Sequence, residues 1–185
     1  MKTIKHILNG IPDKRQDKNT TSLKFKNDVI DYFKDLKLKR CIEVGTNLGY
    51  STRILSFLFE DVVTIENNMD NIYKAMANNK DRSNITYLHG DAYANEWGVQ
   101  DSDASFIDCV HTYKAVTQDI EQSIGYNVQY LIFDDYGIDP EMKRAIDDFI
   151  KSKTGVDVVY IGEPAGSEPR IGKPLRDFEG VIVAL

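Results

Sequence analysis

Apolar and polar positions along the 185-residue chain follow two alternating periods. Short apolar runs at Arg40–Val44, Val62–Ile65, Ile85–Leu88, Ala104–Ile107, Tyr130–Phe133, Val156–Ile161 and Val181–Leu185 read as strands. Between them the spacing turns helical. Leu23, Val29, Ile30, Phe33 and Leu36 form one stripe, and Met69, Ile72, Tyr73 and Met76 another. Tyr113, Val116, Ile120 and Ile124 form a third, and Met142, Ala145, Ile146, Phe149 and Ile150 a fourth. A further helix is expected over Asn47–Phe59, after a glycine-punctuated turn. Asp139-Pro140 opens the last helix, with an acid at the N-cap and proline at the first helical position.

Strands alternating with helices imply a parallel sheet covered on both faces. The last two strands have no helical pattern between them, and such a pair is most simply antiparallel. The expected fold is therefore α/β: a Rossmann-like, seven-stranded, mostly parallel sheet with an antiparallel last strand and helices on both faces. Residues 1–21 read as a polar arm and residues 22–185 as a single domain. The loop Gly162–Gly180 has no strand or helix period, and with Arg170, Lys173 and Arg176 it is expected to rim a ligand pocket.

Composition refines this picture only at the edges. Hydrophobic residues are 42% and charged residues 28%, as in ordinary globular proteins. The formal charge of -6 argues against a nucleic-acid binder, which usually carries a basic domain. The basic charge is uneven: residues 1–26 hold Lys2, Lys5, Lys14, Arg15, Lys18, Lys24 and Lys26 against Asp13 and Asp17, which reads as a solvated arm. Cys41 and Cys109 lack metal-site spacing and are expected as reduced thiols. No apolar run is long enough to span a membrane, and the amino terminus is too polar for a signal peptide, so a cytoplasmic protein is expected. A homo-oligomer is compatible with this sequence.

The chemistry concentrates at strand ends. Glu43 lies in CIEVG, Glu66 ends VVTIE, Asp91 follows YLHG, Asp108 ends SFID, and LIFDDYG carries Asp134 and Asp135. Ligands of open α/β sheets bind beyond the carboxyl ends of the strands. In EVGTNLGYST, Gly45 follows a strand and Gly49 begins a helix, whose free N–H groups favour an anionic group. Asn47 stands where the dinucleotide pattern has its second glycine, which points to a ligand smaller than a pyrophosphate. Glu66, about 20 residues beyond the turn, is placed to accept ribose hydroxyls.

Over roughly residues 38–138 the chain resembles the class I S-adenosylmethionine-dependent methyltransferases, and within them the small-molecule O-methyltransferases that include metal-dependent macrolide-sugar enzymes. The resemblance is carried by IEVGTNLGYST, VVTIE, HGDA, SFIDCVHTYKAVTQDIE and LIFDDYG. It implies a cofactor site from Glu43, Gly45, Thr46, Asn47, Gly49, Tyr50, Ser51, Glu66, Asp91, Ala92 and Asp108, with Glu66 at the ribose and Asp91 and Ala92 beside the adenine. Asp108, His111 and Tyr113 match the family's fourth-strand motif, with Cys109 where glycine is frequent, and Asp134 and Asp135 match its paired acids. Asp108, Asp134 and Asp135 would then hold Mg²⁺ or another divalent cation. Asp108 and His111 would be catalytic, with His111 taking the proton of an acceptor hydroxyl on a small molecule or sugar. Other chemistry on the same fold, hydroxylase-like or NAD-linked, and a non-catalytic cofactor-binding module are the alternatives.

Overall fold

The protein is described here by a computed structural model covering residues 4–14, 16–94, 96–168 and 174–185. Its elements run α1 (Ile4–Ile7), α2 (Leu23–Phe33), β1 (Leu38–Val44), α3 (Tyr50–Leu58), β2 (Phe59–Glu66), α4 (Met69–Asn78) and β3 (Ile85–His89). They continue with β4 (Ala104–Ile107), α5 (Tyr113–Gly125), β5 (Tyr130–Phe133), α6 (Pro140–Ser152), β6 (Asp157–Ile161) and β7 (Gly180–Ala184).

The strands form one seven-stranded sheet in the order β3-β2-β1-β4-β5-β7-β6. The five strands β1–β5 pair in parallel, and β7 runs antiparallel to both of its neighbours. Parallel pairing follows from the crossover connections, most of which carry a helix. The hairpin-like return to β7 needs none. The chain leaves β1 toward β2 and later returns to its other side as β4. That reversal opens a crevice at the carboxyl ends of β1 and β4, where α/β sheets bind ligands.

The two faces of the sheet are covered by different helices. Phe25, Val29, Ile30 and Phe33 of α2 join Ile54 and Leu55 of α3 against Phe59 and Phe106. Val116 and Ile120 of α5 join Met142 and Ile146 of α6 over Leu131, Phe133 and Val183. Each such buried side chain contributes on the order of 1.5–3 kcal/mol against exposure. Ser22, Asn68, Thr112 and Asp139 cap α2, α4, α5 and α6 by accepting N–H bonds from the first turns. Helix α3 differs: Gly49 is its N-cap and supplies no side-chain bond.

Some expectations need revision. The arm is not a solvated tail. Ile7 and Ile11 enter the core, and Lys14, Thr20 and Thr21 are buried. Its basic composition misleads because Lys14 finds acids only in the folded state. Lys26 is also buried; its ammonium donates to the carbonyls of Thr21 and, at 2.8 Å, of Pro12. On α4, Ile72 and Ala75 face inward, whereas Met69, Tyr73 and Met76 are exposed. Strand β2 begins earlier than its apolar run, since Phe59 and Glu60 already pair beside β1. Arg170 and Lys173 of the loop before β7 lie outside the described residues. Among the described residues no helix is long and apolar enough to cross a membrane.

Candidate cofactor cleft and acidic nest

The β1–α3 turn is shaped by close approach. Gly45 has φ +99°, and a Cβ there would overlap the carbonyl oxygen of Asp108. Only glycine lets the ends of β1 and β4 meet this closely. Gly49 has φ +75°, and a Cβ there would sit 2.7 Å from Asn79 Nδ2. Asn79 Nδ2 donates to the Gly49 carbonyl at 2.9 Å and so ties the turn to α4. Between the glycines Asn47 has φ +47°, a conformation asparagine tolerates. Gly49 gives the first N–H groups of α3, at Tyr50 and Ser51, no side-chain cap, and such a helix start favours an anionic group.

Glu66 ends β2 beside this turn. Its Oε2 accepts the Asn47 N–H at 2.8 Å and its Oε1 the Asn68 N–H at 2.9 Å. These two bonds fix the carboxylate, and the residue stays partly exposed. Asp91 is exposed and accepts the Tyr93 N–H at 2.9 Å, while Ala92 is buried. Trp97 lies in the core: it donates to the Ala92 carbonyl at 3.1 Å and stacks on Tyr126.

Glu43 is placed differently from the residues around it. It is fully buried, and its Oε2 accepts from Thr52 Oγ1 at 2.5 Å and Thr64 Oγ1 at 2.6 Å. Thr46 is buried against Thr64, with hydroxyls 2.5 Å apart. Burial pushes the Glu43 carboxyl up to about 8, and its Oε1 has no hydrogen-bond partner among the described residues. Glu43 thus holds β1, β2 and α3 together beneath the crevice, out of a ligand's reach.

The acids at the ends of β4 and β5 form a nest. His111 Nε2 lies 3.4 Å from Asp108 Oδ1, and His111 Nδ1 lies 3.8 Å from Asp135 Oδ2. Asp135 adopts φ +52°, a left-handed conformation, and its carboxylate spans His111 on one side and Lys14 on the other. Among the described residues, Asp108, His111 and Asp135 each offer one ligand atom, all within 4.8 Å of one another. Burial lowers the His111 pKa, but the Asp108 hydrogen bond and the charges of Asp108, Asp135 and Asp134 raise it to about 9. Tyr93 supports this loop from below. Its hydroxyl accepts the Val110 N–H at 3.2 Å and donates to buried Asp119 at 3.1 Å. Burial raises the Asp119 carboxyl to about 7.

Asp134 faces elsewhere. Lys14 Nζ stands 3.8 Å from Asp134 Oδ2, 2.9 Å from Asp135 Oδ1 and 3.2 Å from Glu179 Oε1. Burial lowers the Lys14 pKa, yet these three acids outweigh it and hold the ammonium charged. Glu179 also accepts the Ser22 N–H at 2.9 Å and the Ser22 hydroxyl. The mutual repulsion within LIFDDYG is therefore relieved by an organic cation as well as by His111. Sequence reasoning missed Lys14 and Glu179. Lys14 lies in a run of charged residues and Glu179 in a loop, and no local spacing links either to residue 134. A cavity of about 860 Å³ lies at the opposite ends of the strands, among Lys39, Arg40, Asp61 and Asp103, away from this chemistry.

No protein-family model matches the sequence, and no curated protein matches it. Solved structures do. The O-methyltransferase TomG from Streptomyces achromogenes, solved with SAM, is 15% identical at a TM-score of 0.67, covering 100% of this chain and 90% of that one. An O-methyltransferase from Bacillus cereus, solved with SAH, is 18% identical at a TM-score of 0.65, covering 97% and 88%. The tRNA (m1A58) methyltransferase TrmI from Aquifex aeolicus is 18% identical at 0.65, covering 99% and 75%. Neighbours with names as different as these show the architecture alone. With its strand order, its crevice between β1 and β4 and these likenesses, the chain has the fold of the class I S-adenosylmethionine-dependent methyltransferases.

Proposed function

We propose that the protein is an S-adenosylmethionine-dependent O-methyltransferase acting on a hydroxyl of a small molecule, assisted by a divalent cation such as Mg²⁺. The observation that carries this reading is the position of Asp108. It ends β4 at the crevice, with the Gly45 turn on one side and His111 and Asp135 on the other. A cofactor in the crevice and a hydroxyl at the nest would thus meet at one strand end.

The residues fit both groups. Glu66 would take the ribose hydroxyls, and the uncapped start of α3 the methionine carboxylate. Asp91 and Ala92 would flank the adenine. Asp108 and Asp135 supply two carboxylates suited to a divalent cation, and His111 stands beside them. Asp134, expected in this set from the sequence, is turned toward Lys14 and contributes charge from behind. A cation held there supplies Lewis acidity that lowers the pKa of an acceptor hydroxyl. His111 is the proton acceptor in this reading. Near neutral pH its ring carries a proton while the acids alone surround it, and a nearby positive charge shifts it toward the free imidazole that can act as base. Asp108 orients the imidazole. Alignment of the hydroxyl with the sulfonium methyl would supply much of the rate.

Titration of the purified protein with S-adenosylmethionine, followed by methyl transfer to a panel of small hydroxyl compounds with Mg²⁺ or with chelator, tests the reading. Cofactor binding with chelator-sensitive transfer is expected. Absence of cofactor binding overturns it, and transfer untouched by chelator removes the cation from it.

A further inference from the structure

Three carboxylates of the nest face a single ammonium. Asp134, Asp135 and Glu179 come from the β5–α6 turn and the residue before β7, and their side chains are at most 5% exposed. Lys14 arrives from the amino-terminal arm, 121 residues from Asp135 and 165 from Glu179. Its side chain is wholly buried. Asp134 Oδ1 is buried with no hydrogen-bond partner among the described residues. The nest therefore has donor capacity that Lys14 does not use.

We propose that Lys14 is the resident cation of the inner half of this nest, supplying as a tethered ammonium the charge that a second metal ion would otherwise supply and so confining a divalent ion to the outer side, at Asp108 and Asp135 beside His111. Asp135 is the shared wall. Its Oδ1 lies 2.9 Å from Lys14 Nζ while its Oδ2 faces His111 at 3.8 Å. The inner oxygens lie 2.9–3.8 Å from Nζ, and a Ca²⁺- or Mn²⁺-sized ion needs roughly 2.1–2.6 Å. An ion there requires the three carboxylates to move inward once the ammonium is gone. Lys14 is thus a positioning residue: it holds Asp135 through Oδ1, while Oδ2 faces His111. Only the confinement of the outer ion rests on the proposed function; the inner cation does not.

The test is the Mn²⁺ stoichiometry of wild type and Lys14→Met, read by calorimetry and by the spin-resonance signal of bound Mn²⁺. Lys14→Met is expected to bind one ion per chain more than wild type, and Lys14→Met/Asp134→Asn to lose that added ion. If wild type binds none, the outer cation reading fails, while the gain of one ion in the variant still supports the role of Lys14. Equal stoichiometry in a folded Lys14→Met overturns the proposal, as does an added ion that survives Asp134→Asn. If Lys14→Met is unfolded in chelator, Mn²⁺ is expected to restore its circular dichroism. A variant that stays unfolded in Mn²⁺ overturns the proposal as well.

Discussion

Glu43 makes the stability of this protein depend on pH in a direction that can be worked out in advance. Burial holds its carboxyl at about 8 in the folded chain, against an ordinary value of 4.5. The folded pKa is raised, so the stabilisation is fully present below the unfolded value and is lost as pH rises through the folded one. Between those limits the unfolded chain gives up a proton that the folded chain keeps, at about 1.4 kcal/mol per pH unit. By pH 7 the loss relative to pH 4 is about 3 kcal/mol, a large part of a domain's usual stability. Glu43→Gln removes the titration. The amide oxygen can accept from Thr52 and Thr64, while the amide N–H groups take the place of Oε1, which has no partner among the described residues. That mismatch costs about 1–3 kcal/mol at every pH. Urea unfolding followed by circular dichroism from pH 4.5 to 8.5 reads the difference between the two proteins, in which all other titrating groups cancel. Wild type should be the more stable at pH 4.5, and its advantage should shrink by about 3 kcal/mol by pH 7. Parallel stability curves would refute the reasoning and place an ionised carboxylate in the core.

Three further outcomes are expected. Glu66→Ala should weaken S-adenosylmethionine binding by about 1.5–3 kcal/mol, about ten- to a hundredfold, in calorimetry; unchanged affinity in a folded variant removes Glu66 from the ribose. Gly45→Ala should lower the melting temperature and abolish cofactor binding, because the left-handed conformation alone costs about 1–3 kcal/mol before the overlap with the Asp108 carbonyl is added. A variant as stable as wild type would mean that β1 and β4 are not in close contact there. Tyr93→Phe should cost about 1–3 kcal/mol in denaturant unfolding, because buried Asp119 and the Val110 N–H each lose a partner; unaltered stability would show that the 108–112 loop is held by other means.

The sequence by itself determined the sheet and much of the crevice. Its apolar runs and helical stripes carry the order of strands and helices, and the missing crossover before Val181 carries the antiparallel strand, because these are local consequences of period and connection length. Gly45, Glu66 and Asp108 could be read as strand-end chemistry for the same reason: each follows its own apolar run directly. Only the tertiary structure decided what those acids face. Glu43 lies within β1 opposite Thr64 and is buried against Thr52 and Thr64, whereas Glu66 ends β2 two residues further along and stays partly exposed. Asp134 and Asp135 are adjacent in sequence, and where their side chains would alternate along a strand, the left-handed residue 135 lets both carboxylates reach Lys14. Lys14 reads as one more base in a polar arm until the chain brings it beside residues more than a hundred positions away. Charge pairing at that separation leaves no trace in local pattern, since the attraction depends on distance in space and the sequence records only distance along the chain.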